Sequence, residues 1–115
     1  METTPRFIQG VFPFQGAGLS RLAPLTDGAA YTVPFDKRTQ LIYLRAGNST
    51  DELIYLALLG NGRPFRYFPI GARSSVHVPL AVVEDLFPET RLDLVVGAPE
   101  GLGGTVVVDI GLMEI

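Results

Sequence analysis

The sequence has no cysteine, no tryptophan, one histidine and one lysine. Without cysteine, a disulfide framework, a thiol nucleophile and every thiolate metal site are excluded, although no redox compartment is. Positive charge is also scarce: nine Lys and Arg stand against twelve Asp and Glu, for a net charge of -3. That balance leaves no basic footprint for nucleic acid. Long apolar runs are missing, since none approaches the ~18 residues that span a bilayer as a helix, so no membrane partner is expected. The opening Met-Glu-Thr-Thr-Pro-Arg lacks the basic and apolar regions of a secretory signal. The expected location is cytoplasmic, or a virion assembled in a host cytoplasm.

What the chain does have is apolar material: 47% hydrophobic against 18% charged residues over 115 positions, and a mean hydropathy of +0.29. A chain of this length makes one core and buries about 65% of its unfolded surface. Apolar surface should therefore remain outside, and large exposed apolar patches mark contact sites. An oligomer or assembly interface is the expectation. The cations are eight arginines and Lys37. Arginine is enriched and lysine depleted at protein interfaces, but a GC-rich genome accounts for the bias equally well.

Gly (13) and Pro (9) punctuate the chain at the spacing of an all-β sandwich or barrel. Residues 1–30 are the least regular and read as an N-terminal arm with an edge segment at 7–12, a loop at 15–18 and a turn at 26–28. Residues 31–115 read as the sandwich domain. Residues 31–35 contain Pro34 and belong at an edge. Residues 39–46 (TQLIYLRA) and 52–59 (ELIYLALL) read as a hairpin around 47–51, and Gly60-Asn61-Gly62 as a second turn before 65–68. Strand 75–80 precedes the only helix candidate, 81–87 (AVVEDLF), and strands 91–96 and 105–113 enclose a glycine-rich loop, 97–104. Leu92-Asp93-Leu94 and Val108-Asp109-Ile110 alternate as half-wet strands do. Residues 53–59 do not, so both faces of that strand need cover from the arm, the helix or another subunit; 41–44 repeats the problem.

Few residues point to chemistry. His77 shares a strand face with Ser75, and a general base needs an orienting partner that sequence does not supply. It is read as structural. Glu84, Asp85 and Glu89 form the densest acidic group, without the spacing of a calcium loop, and read as solvated charge. Asp93 and Asp109 read as the wet side of strands that could pair. The glycines of 97–104 lack the following helix of a phosphate loop. Asn48-Ser49-Thr50 matches a glycosylation acceptor, taken as accidental, and no serine has nucleophile-elbow context. Tyr43, Tyr55 and Tyr67 recur in three successive strands, as core or as a stacking face. No catalytic residue, metal ligand or cofactor site is expected.

The cadence of 39–80 carries a resemblance: Arg45-Ala46-Gly47-Asn48-Ser49-Thr50-Asp51 after a strand, the turn Gly62-Arg63-Pro64-Phe65, then 69–78 (PIGARSSVHV) and a terminal hairpin. Over 31–115 it resembles the small β-sandwich decoration and head-fibre proteins of tailed bacteriophages. That resemblance implies a homo-oligomer, such as a trimer, stabilising a capsid shell. The same turn and Ala72-Arg73-Ser74-Ser75 are similar to the sensory rhodopsin transducer family, which implies a ligand-binding or signalling adaptor. The expected fold is a two-layer antiparallel sandwich of seven or eight strands, jelly-roll or immunoglobulin-like. The expected function is non-enzymatic, with contact through Phe7, Phe12, Phe14, Leu41, Tyr43, Leu53, Tyr55 and Tyr67.

Overall fold

Leu92, Leu94 and Val96 are buried while Asp93 and Val95 between them are not, and this two-residue period runs through most of the chain. It drives the formation of strands with one apolar face, which are stable only when two such faces meet. The computed structural model describes residues 2–115, leaving aside the side chains of Asp27 and residues 81–84. Eight strands result: β1 (Thr4–Gln15), β2 (Gly18–Thr32), β3 (Thr39–Asn48), β4 (Ile54–Gly60), β5 (Arg63–Ile70), β6 (Ser75–Leu86), β7 (Arg91–Ala98) and β8 (Gly103–Glu114).

They form two four-stranded antiparallel sheets, β1-β8-β3-β6 and β2-β7-β4-β5. The pairs β1·β8, β2·β7, β3·β6 and β4·β5 nest like one long hairpin. Wrapping that hairpin on itself adds the pairs β3·β8 and β4·β7. This is the jelly roll among the expected sandwiches. Its tip is a tight hairpin, Asn61-Gly62, with φ of 51° and 84°. Two successive positive φ angles make the turn whose twist suits the flanking strands, and Asn-Gly is the pair that tolerates it. The core lies between the sheets, from Leu41, Leu44, Val108, Ile110 and Leu112 on one side to Ile54, Leu56, Leu58, Leu92 and Val96 on the other.

Several sequence expectations change here. Residues 4–32 are not an arm. β1 and β2 are edge strands, one in each sheet, and they bring Ile8, Phe14, Ala23, Leu25 and Ala29 into the core. Residues 81–87 are not a helix: the backbone continues β6 and pairs with β3, Leu41 opposite Glu84 and Thr39 opposite Leu86. Strands 39–46 and 52–59 are not a hairpin, nor are 91–96 and 105–113, because each pair is divided between the two sheets. Asp93 and Asp109 therefore lie on strands that do not pair.

The doubly apolar stretches have local explanations. A bulge in β3 between Leu41 and Tyr43 puts two consecutive residues, Ile42 and Tyr43, outside while Leu41 and Leu44 both stay inside. In β4, Ile54, Leu56 and Leu58 face the core, and the outward Ala57 is fully buried as well. Tyr55 supplies cover on that outer side, lying across Gly97 of β7 with its hydroxyl donating to the Leu19 carbonyl at 2.5 Å. The second face of β4 thus needs no subunit to cover it.

One substitution and one deletion in this core have defined outcomes. Leu56→Ala is expected to cost about 2–5 kcal/mol in urea denaturation. Deleting residues 1–15 removes β1 from β8 and strips Ile8 and Phe14 from the core, so the cooperative unfolding transition should be lost. A deletion variant that keeps a sharp transition would show β1 to be dispensable.

Candidate functional site

Opposing residues of an antiparallel sheet share a face, and in the first sheet four polar ones line up across all four strands. Gln9 of β1 opposes Asp109 of β8, Asp109 opposes Arg45 of β3, and Arg45 opposes His77 of β6. All four point away from the core. Asp109 is the hub. Its Oδ1 accepts from Gln9 Nε2 at 3.0 Å and from the Tyr43 hydroxyl at 3.1 Å. Its Oδ2 accepts from Arg45 Nε at 3.1 Å and from Arg45 Nη2. A carboxylate offers about four lone-pair sites, so the protein itself saturates this one. The Gln9 amide, then Arg45 and Tyr43, hold the Asp109 carboxyl below the usual range. Asp109 in turn raises the pKa of Arg45 by hydrogen bond and charge. Burial, then the bond to Asp109, raises that of Tyr43.

The ring of Tyr43 is fixed from several sides. It lies across Gly111 of β8, where any Cβ would collide with it. The Arg45 guanidinium sits 5.4 Å from its centroid, a cation–π distance. His77 meets it edge-on, with centroids 6.2 Å apart and an interplanar angle of 87°.

One register step along, the row reads Val11, Val107, Gly47, Ser75. Gly47 carries no side chain between Val107 and Ser75, and the face dips there. The dip opens into a groove of about 520 Å³ lined by Arg45, Ala46, Gly47, Ser75, Val76, His77, Val107 and Asp109. Its lining combines an ion pair, an imidazole, a hydroxyl and an apolar wall.

The residues expected at a contact surface are dispersed. Phe14 and Leu41 are core residues, and Phe12 packs against the core from β1, so these three leave the contact list. Their strand phase points inward, which composition could not reveal. Phe7 and Tyr43 lie on the outer face of the first sheet. Leu53 is exposed just before β4, and Tyr55 and Tyr67 meet on the outer face of the second sheet, ring centroids 5.9 Å apart. The three tyrosines therefore do not share one face. Of the acidic group, Asp85 lies 3.9 Å from Arg38, Glu89 occupies a turn with φ of 69°, and the Glu84 side chain lies outside the described residues. Among the described residues no acid bonds His77, and no three His, Asp or Glu side chains gather as a metal would require. Sequence reading had Asp109 only as a wet strand position and passed over Gln9 and Arg45. Their alternation was visible, but the register that aligns them was not.

Two other polar clusters hold the sandwich together. The Tyr31 hydroxyl donates to Glu114 at 2.5 Å and bonds Thr39 at 2.9 Å, while Arg6 pairs with the buried Glu114 at 3.2 Å. Burial and the Glu114 bond push the Tyr31 pKa up to about 12. Asn48 is buried, its amide donating to the carbonyls of Glu52, Ile70 and Gly71. That commitment makes the Asn48-Ser49-Thr50 triplet a structural corner.

No family model matches the chain, and no curated protein matches it. Among solved structures it is similar to the CBM36-1 domain of a multidomain xylanase from the hindgut metagenome of Trinervitermes trinervoides. The TM-score is 0.59 at 16% identity, covering 96% of both chains. It also aligns with an exo-β-1,3-galactanase from Phanerochaete chrysosporium (TM-score 0.46, 14% identity) and with the VP2 subviral particle of infectious bursal disease virus (TM-score 0.38, 12% identity). It covers 97% of itself in both alignments but only 29% and 32% of those longer chains. The first likeness establishes a shared β-sandwich fold.

The Asp109 hub has a measurable pH signature. Its carboxyl is depressed in the fold, so its stabilising effect is present above the ordinary value of 3.8 and is lost as pH falls through the lower folded value. Asp109→Asn should cost on the order of 1 kcal/mol at neutral pH, and the variant and native unfolding curves should converge as pH falls below the ordinary carboxyl value and through the lower folded one. A gap that stays constant with pH would mean that the carboxylate charge is not what Gln9, Tyr43 and Arg45 stabilise.

Proposed function

We propose that this chain is a non-catalytic binding module whose recognition surface is the outer face of β1-β8-β3-β6. The observation that carries the reading is the Gln9–Asp109–Arg45–His77 row beside the Gly47 groove. Recognition favours polar groups already held in position, because ordering them on binding costs free energy. Here a saturated carboxylate orients an arginine and a tyrosine before any partner arrives. The same saturation leaves Asp109 without lone pairs for acid–base or metal chemistry. A binding role also suits a jelly roll like that of the CBM36-1 domain.

A ligand-independent test is a fragment screen followed on the backbone amides of the labelled protein. Fragments of varied chemistry should cluster on Arg45, Gly47, Ser75 and His77. Clustering around Tyr55 and Tyr67, around Phe35 and Phe87, or nowhere would remove this face from consideration.

A second reading has its own support: the chain self-associates and decorates a larger shell, as its resemblance to phage decoration and head-fibre proteins implies. Phe7 and Val107 are 54% and 53% exposed beside Val11 on the β1–β8 half of the same face. Phe35 and Phe87 are 78% and 67% exposed at the end where Val33 and Thr90 are tied by a 2.9 Å backbone bond. Paired apolar groups of this kind suit burial against neighbours. Light scattering at micromolar concentration should then give an oligomer that Phe7→Ser with Val107→Ser converts to monomer. A native chain that is already monomeric sinks this second reading and leaves the first untouched.

A further inference from the structure

Resting on the reading of the first sheet's outer face as the binding face, we infer that the Gly47 groove takes a neutral polyhydroxylated ligand, a short stretch of uncharged oligosaccharide. Charge comes first. Arg45 is the groove's one guanidinium, and Asp109 pairs with it directly. An anionic ligand would find no uncompensated cation there and would meet a chain of net charge -3. A metal cation would find both oxygens of Asp109 already filled by Gln9, Tyr43 and Arg45. A flat aromatic ligand would lack a stacking platform, because the Tyr43 ring is committed over Gly111 between Arg45 and His77.

What remains is a set of groups that both give and accept hydrogen bonds. The Ser75 hydroxyl does both, the His77 ring carries a donor and an acceptor when neutral, and Arg45 has more N–H donors than Asp109 occupies. Opposite them stands the exposed Val107 side chain, an apolar wall. A sugar ring has the matching surface: hydroxyls that donate and accept around its rim, and C–H groups on its faces. The groove of about 520 Å³ falls within the roughly 300–1,000 Å³ of small-ligand sites.

The depression is written into the sequence at Gly47. Glycine in a central strand weakens it and often marks a place where something approaches the backbone closely. A Cβ at Gly47 would meet nothing nearer than the Ser75 Cβ at 4.0 Å. No packing demand therefore requires glycine there, in contrast to Gly97 and Gly111, whose places are filled by Tyr55 and Tyr43. This makes Gly47→Val a clean probe, filling the groove with a good strand former at a position that has room for it.

The labelled full-length chain would be titrated with cellohexaose, xylohexaose and laminarihexaose, with trigalacturonate as the charged comparison. At least one neutral hexasaccharide should move the amides of Arg45, Gly47, Ser75 and Val107, with a Kd on the order of 1 mM or tighter. Gly47→Val should weaken that binding at least about tenfold while its urea midpoint stays at or above the native value. Arg45→Met should weaken it without closing the groove. No shift with any neutral saccharide, unchanged binding by a folded Gly47→Val, or preference for trigalacturonate would each overturn the inference. If fragments still collect in the groove in those cases, the ligand class is wrong and the binding face stands. If they do not, both fall.

Discussion

The contact between two apolar sheet faces governs the rest of this molecule. Leucine, isoleucine and valine from β3 and β8 meet their counterparts from β4 and β7, and each CH₂ removed from water there contributes about 0.8 kcal/mol. That layer can form only if the chain doubles back on itself from end to end, because β8 needs β1 on one side and β3 on the other. Nested pairing of this kind closes long loops before it is rewarded. The first strand thereby contributes to the same core as the centre, through Ile8 and Phe14.

The outer face follows from the inner one. Once the core sets strand phase and register, Gln9, Asp109, Arg45 and His77 have no choice but to stand in one row. The two tyrosine–glycine pairs, Tyr43 over Gly111 and Tyr55 over Gly97, extend the same logic. In each sheet an aromatic ring shields a glycine on the facing strand, covering backbone that would otherwise lie open. In the first sheet that ring also becomes a wall for the polar row. In the second it covers the outer side of β4 with the chain's own atoms.

Much of this was legible in the residues. The alternations around Asp93 and Asp109 marked their strands, Gly60-Asn61-Gly62 marked a turn, and the turn spacing marked a sandwich. The misreadings have identifiable causes. The irregularity of residues 1–30 reflects two register shifts in β2 and prolines that edge strands tolerate, features that look like an arm when no partner strand is known. The Leu41-Ile42-Tyr43-Leu44 run is a bulge, and a bulge erases the period on which strand reading relies. Residues 81–87 carry helix-like spacing, but their place beside β3 overrides it, as tertiary context commonly overrides propensity.

The sequence by itself determined the class of the protein: apolar, acidic and free of cysteine, with strands of period two separated by glycine- and proline-bearing turns. Those properties are local, set by each residue and its near neighbours. Tertiary structure alone decided which strands are partners. Pairing β3 with β8 and β6, far along the chain, is what brings Arg45, Asp109 and His77 together and leaves the space above Gly47 open. Register between distant strands is fixed by the total burial of both sheets, a sum over the whole chain that no short stretch of it records.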